Sequence, residues 1–177
     1  MKTLDLGCGK RKLKGAVGID ISPDSDADIV HDLNKVPYPF SEGEFGYVYA
    51  DNVLEHLEDV IKVLEELHRI TSDGAAIKII VPFFRSHYAF IDPTHRHFFT
   101  VRSFDYFDPA KDFNKYYKYS RCCFNVRKVA FDENMPHGLF GKLLRWVANT
   151  RPVFYESRLA TLFPLNTLTY YLETIKK

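Results

Sequence analysis

The six residues Leu4-Asp5-Leu6-Gly7-Cys8-Gly9 constrain this chain more than any others. A short apolar run with an embedded acid ends in two glycines flanking a small residue. Such a run reads as a buried strand that stops in a tight turn, its backbone left bare for a ligand's approach. Asp20, eleven residues after Gly9, closes a second strand with Val17, Gly18 and Ile19, and Ile21 follows it. Asp28 to His31 reads as a third strand ending at Asp32, and Phe45 to Ala50 as a fourth ending at Asp51-Asn52. Ligands of an open parallel sheet sit beyond the carboxyl ends of its strands. Four strand ends here therefore carry candidate contacts.

The remaining pattern supports an α/β fold. Val53, Leu54, Leu57, Val60, Ile61, Leu64, Leu67 and Ile70 recur every three or four residues, with charges between them, and predict a helix over 53–70. Ser72-Asp73-Gly74 is its stop signal. Ala75 to Val81 is an apolar strand closed by Pro82. Strands alternating with connections imply a mostly parallel sheet. Beyond Pro82 lies a loop rich in aromatics and histidines, and Thr100 is a candidate cap for a short helix over 101–107. A strand within 116–131, helices over 138–149 and 152–163, and a closing strand over 167–175 complete the chain. The segment between Gly9 and Val17 is too short for a full crossover helix.

Composition removes several classes. No apolar run approaches the ~20 residues that a membrane span requires. Three cysteines, two of them adjacent, are no disulfide framework. With the first strand starting almost at residue 1, no signal peptide is expected, and the chain is expected to be cytoplasmic. Net charge is +1, yet residues 1–100 carry −5 and residues 101–177 carry +6. The basic residues are scattered, which favours a solvated surface over an anion-binding patch.

The strand ends also limit the ligand. No phosphate-loop Lys-Ser follows the glycines, and Gly9 is followed by Lys10-Arg11-Lys12 rather than by G-x-x-G spacing. A pyrophosphate would lack its helix N-terminus. A ligand with adenosine and no phosphates fits better. Asp20 is placed to accept from both hydroxyls of a ribose, Asp32 from an exocyclic amine such as that of adenine, and Asp51 from a cationic or amine-bearing group.

Leu4-Asp5-Leu6-Gly7-Cys8-Gly9, Gly18-Ile19-Asp20-Ile21, His31-Asp32-Leu33, Pro37-Tyr38-Pro39-Phe40, Phe45-Gly46-Tyr47-Val48, Val53-Leu54-Glu55-His56-Leu57, Glu66-Leu67-His68-Arg69-Ile70 and Gly74 stand in an order that resembles the class I S-adenosylmethionine-dependent methyltransferases of the methyltransferase domain 11 type. The match covers residues 3–82. It implies a Rossmann-like sheet, mostly parallel with an antiparallel C-terminal strand, in one domain over residues 1–177. Residues 1–82 would be the cofactor half, and 83–177 the substrate loop, helical insertion and closing strand. The implied cofactor is S-adenosylmethionine, with S-adenosylhomocysteine as product. The resemblance assigns Gly7, Cys8 and Gly9, with Asp5, to the methionine part, Asp20 and Ile21 to the ribose, Asp32 and Leu33 to the adenine, and Asp51, Asn52 and His56 to the far side. Against the family pattern, a glycine near Arg11, the helix before the second strand and any helix before the first are missing. The sheet is therefore expected to be shortened at its N-terminus, with the cofactor exposed or covered by another element or subunit.

Methyl transfer needs a general base only when the acceptor must lose a proton. Asp92-Pro93-Thr94-His95-Arg96-His97-Phe98-Phe99 follows the fifth strand and supplies the candidates His95 and His97, with Asp92 to orient them. Extended backbone would point the two histidines the same way. Together with His87 or Asp92 they have metal-ligand chemistry, but no metal is assigned. Similar segments occur in small methyltransferases associated with sugar and glycan genes. The expected acceptor is thus a small-molecule or glycan hydroxyl. RNA or protein methylation, and a non-catalytic cofactor-binding scaffold, are the alternatives. Ala50-Asp51-Asn52-Val53 lacks the N/D-P-P-Y/F element of base N-methylation, so nucleic acid is not the expected partner. Leu139, Phe140, Leu143, Leu144, Trp146 and Val147 beside Lys142, Arg145 and Arg151 form an apolar stripe with basic neighbours. A lid or a homodimer contact is favoured for it over peripheral membrane contact.

Overall fold

The computed structural model describes residues 1–133 and 138–176. Seven strands form one sheet: β1 (Lys2–Leu6), β2 (Val17–Asp20), β3 (Ile29–Val30), β4 (Phe45–Asp51), β5 (Thr71–Pro82), β6 (Cys123–Phe131) and β7 (Thr167–Ile175). Their spatial order is β3-β2-β1-β4-β5-β7-β6. The pairs from β3 to β5 are parallel, and β7 runs antiparallel to both β5 and β6. The order reverses between β1 and β4, so the loops after these strands open a crevice at the carboxyl edge.

Register explains the two faces. Leu6, Ala50, Ile79, Tyr170 and Val129 are paired across five strands, as are Leu4, Val48, Ile77, Leu172 and Val126. Both rows lie on one face and belong to the core or pack against it. The helix α1 (Val60–Ile70) adds Val63, Leu64, Leu67 and Ile70 to the same core. The intervening row is Asp5, Tyr49, Lys78, Tyr171 and Lys128, and it faces the other way. No helix connects β1 to β2, β2 to β3 or β3 to β4. In place of a helix, Lys78 Nζ lies 5.9 Å from the Tyr49 ring and 5.5 Å from the Tyr171 ring. Lys128 Nζ lies 5.1 Å from Tyr171. Cation–ring contacts and aliphatic stems thus cover a face that packing leaves half-buried.

The expected helix over 53–70 is broken. Leu54–His56 is a single 3-10 turn, Leu57 is extended, and α1 begins only after Asp59, whose side chain accepts from Lys62 N at 3.1 Å. Leu54 and Leu57 keep helical spacing yet are buried through the turn. Glu58 N donates to Asn34 Oδ1 at 2.8 Å and ties the break to the β3–β4 loop. α1 ends at Ile70, before the Ser72-Asp73-Gly74 signal, because Thr71 Oγ1 caps Leu67 O at 2.7 Å and β5 starts there.

In the second half, α2 (Tyr88–Ile91) is a short helix inside the expected loop, and the expected 101–107 helix shrinks to a 3-10 turn at Asp105–Phe107. α3 (Asp112–Tyr116) and α4 (Leu139–Thr150) follow. The expected 152–163 helix is α-helical only in α5 (Pro152–Phe154), before a wider turn at Tyr155–Leu159. The apolar stripe of α4 points outward: Leu139, Phe140, Leu143 and Trp146 are exposed, and Ala148 is buried. Among the described residues, no helix is long and apolar enough to cross a membrane.

Candidate active site

Three carboxylates shape the helix-free loop between β1 and β2. Asp5 accepts from Leu13 N at 2.7 Å, and Asp20 from Gly9 N at 2.9 Å and Ser22 N at 2.8 Å. Asp28 accepts from Gly18 N and from Lys12 Nζ, each at 2.7 Å. Asp5 is 3% exposed, and burial raises its pKa against the opposing bond from Leu13. Burial, with the Asp5 and Asp20 charges, pushes the Cys8 thiol up to about 11, so it stays protonated and is no nucleophile.

The two loop glycines have different causes. Gly7 has φ +66°, and a Cβ there would lie 2.4 Å from Val53 Cγ2. Gly9 has φ +54°, and a Cβ there would meet nothing within 4 Å. Packing therefore demands Gly7, while Gly9 leaves bare backbone beside open space. Gly7, Cys8, Gly9, Asp51 and Asn52 line a cleft of about 450 Å³, with Asp5 beneath and Lys10, Arg11 and Tyr49 at its walls. Asp51 accepts from Tyr49 Oη at 2.9 Å and from Asn52 Nδ2 at 2.8 Å. Asn52 has φ +52°, a left-handed conformation uncommon outside glycine and a form of strain that collects at functional sites.

The other expected contacts, Asp20, Ile21, Asp32, Leu33 and His56, do not line this cleft. Asp20 fixes the Gly9 amide, and Ile21 beside it is 64% exposed. Asp32 Oδ1 accepts from Asn34 N and Nδ2 at 3.0 and 3.2 Å. The Leu33 side chain is buried in the core, and its carbonyl accepts from Tyr38 Oη. His56 lines a second cleft rather than the first.

That second cleft, of about 390 Å³, shares Asn52 with the first and is lined by Glu55, His56, Tyr88, Ile91, Asp92 and His95, among others. The 3-10 turn that breaks the expected helix holds Glu55 and His56 there. The segment after Asp92 is strapped onto that turn: Arg96 N and His97 N donate to Glu55 O at 2.8 and 3.3 Å. Thr94 N and Oγ1 donate to Asp92 Oδ1 at 2.9 and 2.7 Å. With the Thr94 hydroxyl proton committed, its oxygen accepts from His56 Nδ1 at 2.8 Å. His95 Nδ1 donates to Ala89 O at 3.1 Å. Each ring keeps Nε2 as its lone-pair nitrogen. The His56 and His95 ring centroids are 4.6 Å apart.

His97 does not join them. Its Nε2 bonds Leu57 O at 2.8 Å, so the alternate histidines diverge, and His97 anchors the strap. Glu55 carries the opposite surprise. Its sequence position suggests a charge on an outer helix face, yet it is 0% exposed, and neither carboxylate oxygen has a hydrogen-bond partner. Burial, with the Asp51 and Asp92 charges, pushes its carboxyl up to about 7. Burial and the neighbouring His95 hold the His56 pKa below its ordinary value. The Thr94 bonds hold Asp92 below the usual carboxylate range.

Residues 4–79 match the family model described as a methyltransferase domain. By this match and by its fold the chain is similar to the class I S-adenosylmethionine-dependent methyltransferases. Solved structures share the fold along nearly the whole length of this chain. A methyltransferase from Archaeoglobus fulgidus is 17% identical, with a TM-score of 0.57, over 97% of this chain and 85% of that one. One from Mesorhizobium loti is 16% identical, with a TM-score of 0.60, over 97% and 90%. A [4+2]-cyclase, SpnF, is 12% identical, with a TM-score of 0.58, over 99% and 75%. Those two methyltransferases depend on S-adenosylmethionine. The first cleft suits such a ligand, with bare backbone at Gly9 and a carboxylate at Asp51, while Asp20 outside its lining fixes the Gly9 amide.

Proposed function

We propose that this chain methylates a hydroxyl group of a small molecule or glycan, with the acceptor held in the second cleft. One observation carries the proposal: a cleft that meets the cofactor cleft at Asn52 gathers Glu55, His56 and His95, which present acceptor atoms without donors of their own. A neutral hydroxyl must lose its proton as it is methylated, and such a cluster favours that loss. Tyr88, Ile91 and Pro82 supply apolar wall, as a sugar ring or small scaffold requires. Asp51, Glu55 and Asp92 together disfavour a polyanion such as RNA.

S-adenosylmethionine, when bound, supplies an activated methyl group on a sulfonium centre. The Gly7–Gly9 loop and Asp51 would hold its amino-acid end, Asp20 its ribose, and Ile21 with Asp32 its adenine. Each Asp20 oxygen has one lone-pair site engaged by backbone, leaving room to accept a ribose hydroxyl. His95 and Asp92 contact the acceptor, and His97 positions the strap that carries them.

Calorimetry with S-adenosylmethionine and S-adenosylhomocysteine, together with turnover of a panel of sugar and small-molecule alcohols, tests the assignment. Asp20→Ala should weaken cofactor binding by more than tenfold, and His95→Ala should retain binding and lose turnover. Full turnover by His95→Ala would remove the second cleft as the acceptor site. Cofactor binding without methylation of any alcohol in the panel would favour the scaffold alternative, since folds of this class host other chemistries.

A further inference from the structure

Glu55, His56 and His95 each offer one ligating atom, and these atoms lie within 4.8 Å of one another. The surrounding bonds are those that metal-binding histidines keep. The Nδ1–H of His95 is spent on a backbone carbonyl, and that of His56 on Thr94, whose own hydroxyl donates to Asp92. Such outer partners fix the tautomer and leave Nε2 free to ligate. Glu55 is the independent observation. A fully buried carboxylate without a hydrogen-bond partner is costly. Among the described residues, no lysine or arginine lines the cleft to neutralise it. Two imidazoles and a carboxylate, each with a ligating atom in the same small space, call for a cation.

We propose that Glu55, His56 and His95 form a binding site for one divalent transition-metal ion. Two histidines and one carboxylate suit zinc or iron(II) and leave coordination positions open. The site lies in the wall of the second cleft, so an open position faces the space assigned to the acceptor. There the ion would hold the acceptor's oxygen and make its proton more acidic, and that proton would leave to solvent. This use of the ion rests on the hydroxyl-acceptor proposal above, whereas the binding of the ion does not.

The test is titration of chelator-treated protein with Zn²⁺ alone, followed by Co²⁺ as a spectroscopic substitute. One equivalent of Zn²⁺ should bind in the micromolar range or tighter, and Co²⁺ should give visible ligand-field bands. Glu55→Gln and His95→Ala should weaken binding at least tenfold, and Thr94→Ala by a smaller factor. Circular dichroism and S-adenosylmethionine calorimetry on each variant show whether it is folded. Absence of stoichiometric binding by the wild type would overturn the proposal, as would equal binding by wild type and a folded Glu55→Gln. Zinc bound without methylation of any alcohol overturns only the acceptor assignment. Alcohol methylation that persists without stoichiometric metal binding overturns only the metal site.

Discussion

At the scale of single residues, similar side chains do opposite work according to what lies beside them. Gly7 and Gly9 occupy the same backbone region, but only Gly7 has a neighbour where its Cβ would go. Gly7→Ala should therefore cost about 2 kcal/mol or more of stability through clash and strain together. Gly9→Ala should cost about 1 kcal/mol, from backbone strain alone, yet weaken S-adenosylmethionine binding about tenfold by filling ligand space. Urea denaturation and calorimetry on both variants separate the effects. Equal losses of affinity in two equally stable variants would contradict the distinction. The glycine pair was legible in sequence because backbone freedom is a local property. The burial of Glu55 was not, since nothing in Leu54-Glu55-His56-Leu57 says that the helix starts only at Val60.

At the scale of elements, carboxylates replace a missing helix. The β1–β2 connection is held by Asp5 on Leu13 N, Asp20 on Gly9 N, and Asp28 on Gly18 N and Lys12. The Lys12 ammonium and the Gly18 amide hold the Asp28 carboxyl below its ordinary value of 3.8. A depressed folded-state pKa contributes stability that is present above 3.8 and lost as pH falls through the folded value. Asp28→Asn should accordingly lower the urea midpoint at pH 7, and the gap from wild type should close as the pH drops below 3.8. A gap that stayed constant down to acid pH would mean that the charge of Asp28 is not what holds the loop. The short spacing between Gly9 and Val17 already announced that no helix fits there. The carboxylate ties could not be foreseen, because Asp28 reaches Gly18 and Lys12 only after β2 and β3 have paired.

At the scale of the whole molecule, one seven-stranded sheet joins the two halves, since β5 of the first pairs with β7 of the second. Its centre has neighbours on both sides, whereas β3 is a two-residue edge. Native-state hydrogen exchange should show the slowest amides in β4 and β5 and the fastest strand amides in β3. Protection of β3 equal to that of β4 would show that something covers this edge in solution. Covering elements are also where the two faces differ. One carries helix α1 and the core, and the other carries the Asp5-Tyr49-Lys78-Tyr171-Lys128 row.

The order of strands, the glycine turn and the acids at the strand ends could all be read from the chain, because each depends on local periodicity or on the backbone freedom of one residue. A phosphate-free adenosine ligand followed from these, and S-adenosylmethionine from the family resemblance. Which histidine lines the second cleft and which anchors a loop required the folded molecule. His95 and His97 are two residues apart, but Ala89 O claims one and Leu57 O the other. The convergence of Glu55, His56 and His95 likewise depends on a strap some forty residues downstream docking on a turn through the Glu55 carbonyl. Long-range contacts of this kind leave no period in the sequence, so only tertiary packing brings these groups together.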